Sequence, residues 1–232
     1  MKRTLLLLLF ALVFPSLSFA QKQSRLPAPL PHPFTKEENV FAEKHSQCFH
    51  QNKYNAKQRR AFFPFSGAVT IKLISYQAEI FGPDAVIYGE KGKIISGDKS
   101  ERDTVSVLTA MAKNKYYLNF RKIKEIKTLN VAGIDSLTDI LYNVGYTPVK
   151  KPTFTIINGA SCYEPRNAVL FIDSKGNVTQ YLEVCFSCMH HFWSSSKVAE
   201  IEYCDNKYEL LRKYFLSQGI KYGADPKTIN NE

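Results

Sequence analysis

Two apolar, partly β-branched runs, Ala168-Val169-Leu170-Phe171-Ile172 and Val178-Thr179-Gln180-Tyr181-Leu182-Glu183-Val184-Cys185, flank Asp173-Ser174-Lys175-Gly176-Asn177. Such side chains favour extended backbone, and a glycine-containing turn between two such runs folds the chain back into a hairpin. A hairpin closing on residues 174 to 176 brings residues near 162 and residues near 186 to one end of the sheet, because 175 lies midway between them. Cys162 is thereby carried to the string Cys185-Phe186-Ser187-Cys188. Any fold for this chain has to accommodate three sulfurs at one end of a folded-back ribbon.

The remaining elements are read from capping residues and apolar spacing. Thr35 and Glu38 form a capping box that opens a helix running to about His50, with Val40, Phe41, Cys48 and Phe49 able to share a face. Residues 68 to 76 alternate as a strand with Val69, Ile71 and Leu73 on one side. A hairpin is expected where Gly89-Glu90-Lys91-Gly92 separates Ala85-Val86-Ile87-Tyr88 from Lys93-Ile94-Ile95. From 100 to 129 two patterns compete. Ser100 and Asp103 resemble a helix start and Val105, Leu108, Met111 and Ala112 have helical spacing, whereas Tyr116, Leu118 and Phe120 alternate as in a strand. Asp135 can cap a helix from Ser136 to Val144, which Gly145 would end in a left-handed conformation. The last helix spans about Asn206 to Ser217, its Leu210, Leu211, Tyr214 and Phe215 facing the core and Gly219 stopping it. Strands and helices do not alternate regularly, so the expected class is α+β, a small antiparallel sheet with a C-terminal hairpin packed by helices. It would occupy residues 35–223 as one domain, ahead of a disordered tail at 224–232.

Residues 1–20 read as a removable secretory signal: Lys2 and Arg3, an apolar run from Leu5 to Phe14, then Pro15-Ser16-Leu17-Ser18-Phe19-Ala20 ending on small residues. Ten apolar residues reach only about 15 Å as a helix, roughly half a bilayer's hydrocarbon thickness, so the expected mature chain has no membrane-spanning helix. No cysteine lies near the cleavage point to accept a lipid, so a lipoprotein is not expected. Residues 21–34, with four prolines between Leu26 and Pro33, read as an extended leader. The expected location is the periplasm or the extracellular side, where disulfides persist.

Three chemistries suit Cys162, Cys185 and Cys188 beside His190 and His191. The first is a structural disulfide from Cys162 to Cys185, Cys188 or Cys204. The second is a metal site in which Cys162, Cys185 and Cys188 join His190 or His191 around zinc or copper. The third is thiol exchange, which in a thioredoxin-like arrangement would need a helix starting at the Cys-x-x-Cys, and Met189 to Ser196 does not read as one. Five cysteines leave at least one unpaired, and Cys48, alone in its helix, is the expected free thiol.

The string from Cys162-Tyr163-Glu164-Pro165-Arg166 to Phe171-Ile172-Asp173, followed by Val184-Cys185-Phe186-Ser187-Cys188, resembles an uncharacterised group of exported bacterial proteins. That group carries a Cys-aromatic-x-Pro-Arg/His segment, a Phe-x-Asp strand and an Ile/Val-Cys-Phe-x-Cys strand end. The likeness runs over about residues 135 to 222. It implies that the cysteines act together and carries no activity with it. His190-His191 departs from the polar, histidine-free segment common in that group.

Arg166 is a further candidate, as an anion contact beside the cysteines or as a partner of Glu164 or Glu183. Between Lys113 and Lys127 six basic residues face one acidic residue, with Tyr116, Tyr117 and Phe120 interleaved. That pattern can hold single-stranded nucleic acid, but in an exported chain a solvated basic face is the favoured reading. The formal charge of +10, which falls to +8 without the two basic residues of the signal, suits an anionic envelope surface. No phosphate loop, nucleophile elbow or zinc-protease helix is present. The reading therefore favours a non-catalytic envelope or interaction module with structural disulfides, with metal binding as the alternative and a periplasmic thiol oxidoreductase as the second. No cofactor is required beyond the zinc or copper of the metal alternative.

Overall fold

A computed structural model describes residues 35–78, 87–88, 94–95, 106–112, 115–149 and 162–228. The expected signal (1–20), the leader (21–34), Ser100, Asp103 and Val105 lie outside the described residues.

The hairpin forms where the turn chemistry places it. Strand β9 (Asn167–Ile172) and strand β10 (Val178–Cys185) pair antiparallel from Val178↔Ile172 to Val184↔Asn167. Gly176 adopts φ +81° in the turn, a left-handed conformation that a side chain would strain. Asp173 holds the same turn, its carboxylate accepting from the backbone N–H groups of Lys175 and Asn177 at 2.9 Å each.

Around this hairpin the strands β2 (Thr70–Tyr76), β5 (Leu108–Ala112), β6 (Lys115–Leu118), β7 (Ile123–Thr128) and β11 (His190–Trp193) complete a curled seven-stranded sheet. Its order is β5-β6-β10-β9-β2-β7, and every pairing is antiparallel. Both β6 and β11 use the edge of β10 that β9 leaves free: β6 meets it at Val178, and β11 covers Leu182 to Cys185. Two further short pairs are Ile87–Tyr88 with Ile94–Ile95, β3 and β4, as the glycine-bounded turn predicts, and β1 (Cys48–His50) with β8 (Val144–Tyr146). With four helices among the described residues, α2 (Ala56–Arg60) being the shortest, the fold is α+β.

The sheet has an apolar core on each face. Ile71 and Leu73 of β2, Val169 and Phe171 of β9, and Leu182 and Val184 of β10 pack against Leu137 and Leu141 of helix α3 (Val131–Asn143) and Leu211 and Phe215 of helix α4 (Lys207–Ser217). The alternate residues Ile74, Tyr76, Ala168 and Leu170 form a smaller core with Val107, Leu108, Leu118 and Val178. This is the period-2 segregation of a two-sided sheet. It also decides the ambiguous stretch: Leu108 pairs with Leu118 and Ala110 with Tyr116, so burial of Leu108 and Leu118 in the second core wins over helical spacing.

Four features depart from expectation. Helix α1 (Lys36–Ser46) has the capping box of Thr35 and Glu38 but stops short of His50, because Gln47 turns extended and frees Cys48 to His50 for β1. Helix α3 starts earlier than Asp135: the Asn130 side chain accepts from the Gly133 N–H at 2.8 Å, while Asp135 lies within the helix and pairs with Arg60. Gly145 does not end α3 in a left-handed conformation. It sits in β8, where a Cβ would run into the Glu202 carboxylate and the Gln51 amide, so close approach requires the glycine. Helix α4 does end at a left-handed Gly219, φ +87°. Within the expected tail at 224–232, Ala224 packs in the main core and Pro226–Thr228 form a short 3-10 turn, and residues 229–232 lie outside the described residues.

Candidate functional site

The folded-back ribbon delivers Cys162 to the Cys-x-x-Cys string, and the sulfurs of Cys162 and Cys188 are joined in a disulfide with Cα atoms 5.7 Å apart. Cys204 does not belong to this cluster. It is bonded to Cys48, with Cα atoms 5.0 Å apart, so Cys48 is not the free thiol. The correction has a topological cause: leaving α1 early puts Cys48 on β1, and Asp205 N–H donating to Ser46 O at 2.9 Å lays the approach to α4 beside it. The free cysteine is Cys185, 1% exposed at the end of β10.

Cys185 contacts both segments that carry the disulfide. Its thiol donates to the carbonyl of Glu164, two residues past Cys162, at 3.3 Å. Its sulfur is also 3.4 Å from the Ser187 hydroxyl, which in turn is 3.9 Å from the Cys188 sulfur. Along β10 the neighbouring residue on the same face is Glu183, whose carboxylate accepts from Tyr76 at 3.1 Å and from Tyr163 at 3.2 Å. Burial and the Glu183 charge push the Tyr163 phenol far above its ordinary range, so it remains a donor.

The two histidine rings lie 5.9 Å apart and take different partners. His190 pairs across the ladder with Cys185 and meets the Tyr163 ring edge-on at 5.1 Å. His191 stacks on Tyr203 at 3.9 Å and its Nδ1 is 2.8 Å from the Tyr208 hydroxyl on α4. Burial, with His190 nearby, lowers the His191 imidazole to about 4, so it is neutral at pH 7. The metal set of Cys162, Cys185, Cys188 with His190 or His191 is thus not assembled, because two of its sulfurs are bonded to each other. Among the described residues no group of three or more His, Cys, Asp or Glu is arranged to hold a metal ion. Arg166 lies with Nη1 3.6 Å from the Glu164 carboxylate, one of the partners expected for it. After Cys188 the chain turns into β11 and not into a helix, so a thioredoxin-type motif is absent there.

On the same face of the sheet, at the opposite end of β10, lies a feature that sequence reading located only in part. Val69, Met111, Tyr117, Phe120 and Ile126 are all exposed, and all five line one groove of about 490 Å³ whose floor includes Leu170, Ile172 and Val178. Lys72 and Asp173 are the charged lining residues. The Asp173 carboxylate is occupied by its turn, including the Asn177 amide at 3.0 Å, whereas basic Arg121 and Lys124 follow Phe120. The aromatic residues interleaved with cations between 113 and 127 were the legible part of this surface. Val69, read on one side with Ile71 and Leu73, is 71% exposed and lines the groove just before the first residue of β2, whereas Ile71 and Leu73 are buried in the main core. No family model, no functionally described protein and no solved structure matches this chain.

Proposed function

We propose that this protein is an exported, non-catalytic interaction module, braced by its disulfides, that holds an amphiphile with an apolar chain and an anionic head in the groove of its curled sheet. One observation carries this reading: five large apolar side chains, none of them a member of either core of the sheet, are exposed in a single groove. Ligand pockets are typically ~300–1,000 Å³, mostly apolar, with a few polar groups fixing orientation. Lys72 inside the groove and the basic strip beside Phe120 favour a negative head over a neutral one. Export is supported by the reading of residues 1–20 and by two disulfides, which persist in oxidising compartments. The resemblance of the cysteine pattern to an exported bacterial group points the same way.

The test is titration with cis-parinarate, a fluorescent fatty acid, followed by displacement. Saturable binding displaced at least tenfold better by oleate than by oleyl alcohol is expected. Phe120→Asp should weaken it at least tenfold, and Lys72→Glu should erase the preference for the acid. Absence of saturable binding, or binding untouched by Phe120→Asp, sinks the reading. Salt-dependent capture of a single-stranded oligonucleotide in place of the fatty acid would redirect it to nucleic acid.

A further inference from the structure

The chain carries a thiol and a disulfide in one neighbourhood, with exposure graded across the three sulfurs. Cys162 is exposed, Cys188 is 9% exposed and Cys185 is 1% exposed. The Cys185 thiol reaches the irregular segment that bears Cys162 through Glu164 O at 3.3 Å, and the Ser187 hydroxyl bridges it towards the Cys188 sulfur. A thiolate attacks a disulfide sulfur through a mixed arrangement of three sulfurs, and its rate depends on access and on the leaving thiol. Here the attacking group, the attacked sulfur and the leaving sulfur all lie at one end of one hairpin.

We propose that this cluster is an internal thiol–disulfide exchange site that moves the protein's free thiol from a buried to an exposed position. Cys185, once deprotonated, attacks the Cys188 sulfur. A Cys185–Cys188 bond forms, the Cys162–Cys188 bond breaks, and Cys162 leaves as a thiolate that takes up the proton lost from Cys185. The electron count is unchanged and no oxidant or reductant is consumed. The leaving thiolate is the solvent-exposed one, so water stabilises it as it departs, while the product bond is the short Cys-x-x-Cys loop. The exposed Cys162 thiol then attacks a disulfide in a second molecule, forming one mixed disulfide and releasing one thiol. The substrate class is a disulfide-bearing protein or small molecule. Cys48–Cys204 takes no part, being bonded elsewhere in the fold.

The experiment uses the native full chain without reductant and a polymer-linked maleimide too bulky to reach Cys185. Non-reducing digestion then maps the labelled residue and the surviving bonds. The expected result is about one label per chain, located on Cys162, with a Cys185–Cys188 disulfide, and Cys185→Ser should abolish labelling. Glutathione disulfide should likewise give an adduct on Cys162 of the wild-type chain. An unlabelled native chain that takes one label on Cys185 only when denatured overturns the proposal. So does a label on Cys185 with the Cys162–Cys188 bond intact. Both readouts come from the wild-type chain, so they stand even where the Cys185→Ser variant fails to fold.

Discussion

Cys48 and Cys204, 156 residues apart in sequence, are bonded to each other and fasten β1 beside the start of α4. Helix α1, immediately before Cys48, contributes no buried residue of its own. What holds this N-terminal part is the three-residue pairing of β1 with β8, a few bonds such as the Thr147 N–H to His45 O at 3.0 Å, and the disulfide. A cross-link that closes so long a loop removes much of the unfolded chain's freedom, and typical bridges contribute ~2–4 kcal/mol. Replacing both cysteines with alanine is expected to lower stability by about 3 kcal/mol in urea melts. Limited proteolysis should then open the chain first between residues 36 and 50. Unchanged melting and unchanged cleavage would show that the packing of β1 alone suffices.

Lys207 is fully buried, with its ammonium against the carbonyl oxygens of Ile140 at 2.6 Å, Leu141 at 3.0 Å and Val144. These are carbonyls at the C-terminal end of α3, which an α-helix leaves without internal partners and where positive charge is favoured. Burial lowers the lysine to about 7, against the partial opposition of Glu202 and Asp139. The unfolded chain, with an ordinary lysine near ~10.4, binds more protons between those values, so this group makes stability rise with pH across that window. Lys207→Met keeps the volume and strands the three acceptors, an expected loss of ~2–4 kcal/mol near neutral pH. The variant's stability should also lose the rise between about pH 7 and 10. A variant as stable as the wild type, or one with the same pH slope, would rule out this helix-capping role.

How far the sequence disclosed this arrangement follows from the range of each interaction. The C-terminal hairpin, α4 with its Gly219 stop and the capping box of α1 are local, written in turn residues, caps and period, and they appear as read. The meeting of Cys162 with the Cys-x-x-Cys string was also legible, because one hairpin's midpoint fixes it. The Cys48–Cys204 bond was not, since it depends on β1 finding β8 across 94 or more residues of chain that no local signal orients. The same holds for Gly145, whose reason for being glycine is Glu202. The groove was half visible: Tyr117 and Phe120 stood out among cations, but Val69 and Met111 join them only through the order of strands in the sheet. Lys207 gave no signal, because a lysine at a helix start is ordinarily solvated.

Asp139 on α3 brings together three segments: it accepts from His50 at 2.8 Å and from the Asn143 amide at 2.7 Å, and it pairs with Arg59 at 3.1 Å. Burial alone would raise its pKa, but the bonds from His50 and Asn143 and the charge of Arg59 outweigh that and hold it below the usual carboxylate value. A carboxyl lowered in the folded state stabilises the fold above its unfolded pKa, near ~3.9, and that contribution is lost as pH falls through the lower folded value. Arg59 is almost enclosed, its Nη1 also donating to Tyr54 O at 2.7 Å and its Nε to the Thr138 hydroxyl at 3.3 Å, so removing the carboxylate leaves a largely buried charge with neutral acceptors in place of its counter-charge. Because Asp139 itself keeps about a third of its surface in water, the pair is screened, and Asp139→Asn is expected to cost ~1–3 kcal/mol at pH 7. The difference between wild type and variant should shrink as the pH is lowered towards 2, where the wild-type carboxyl is protonated too. Urea melts at pH 7 and pH 2.5 measure both quantities, and a gap that stays constant with pH would assign the effect to lost hydrogen-bond geometry and not to charge.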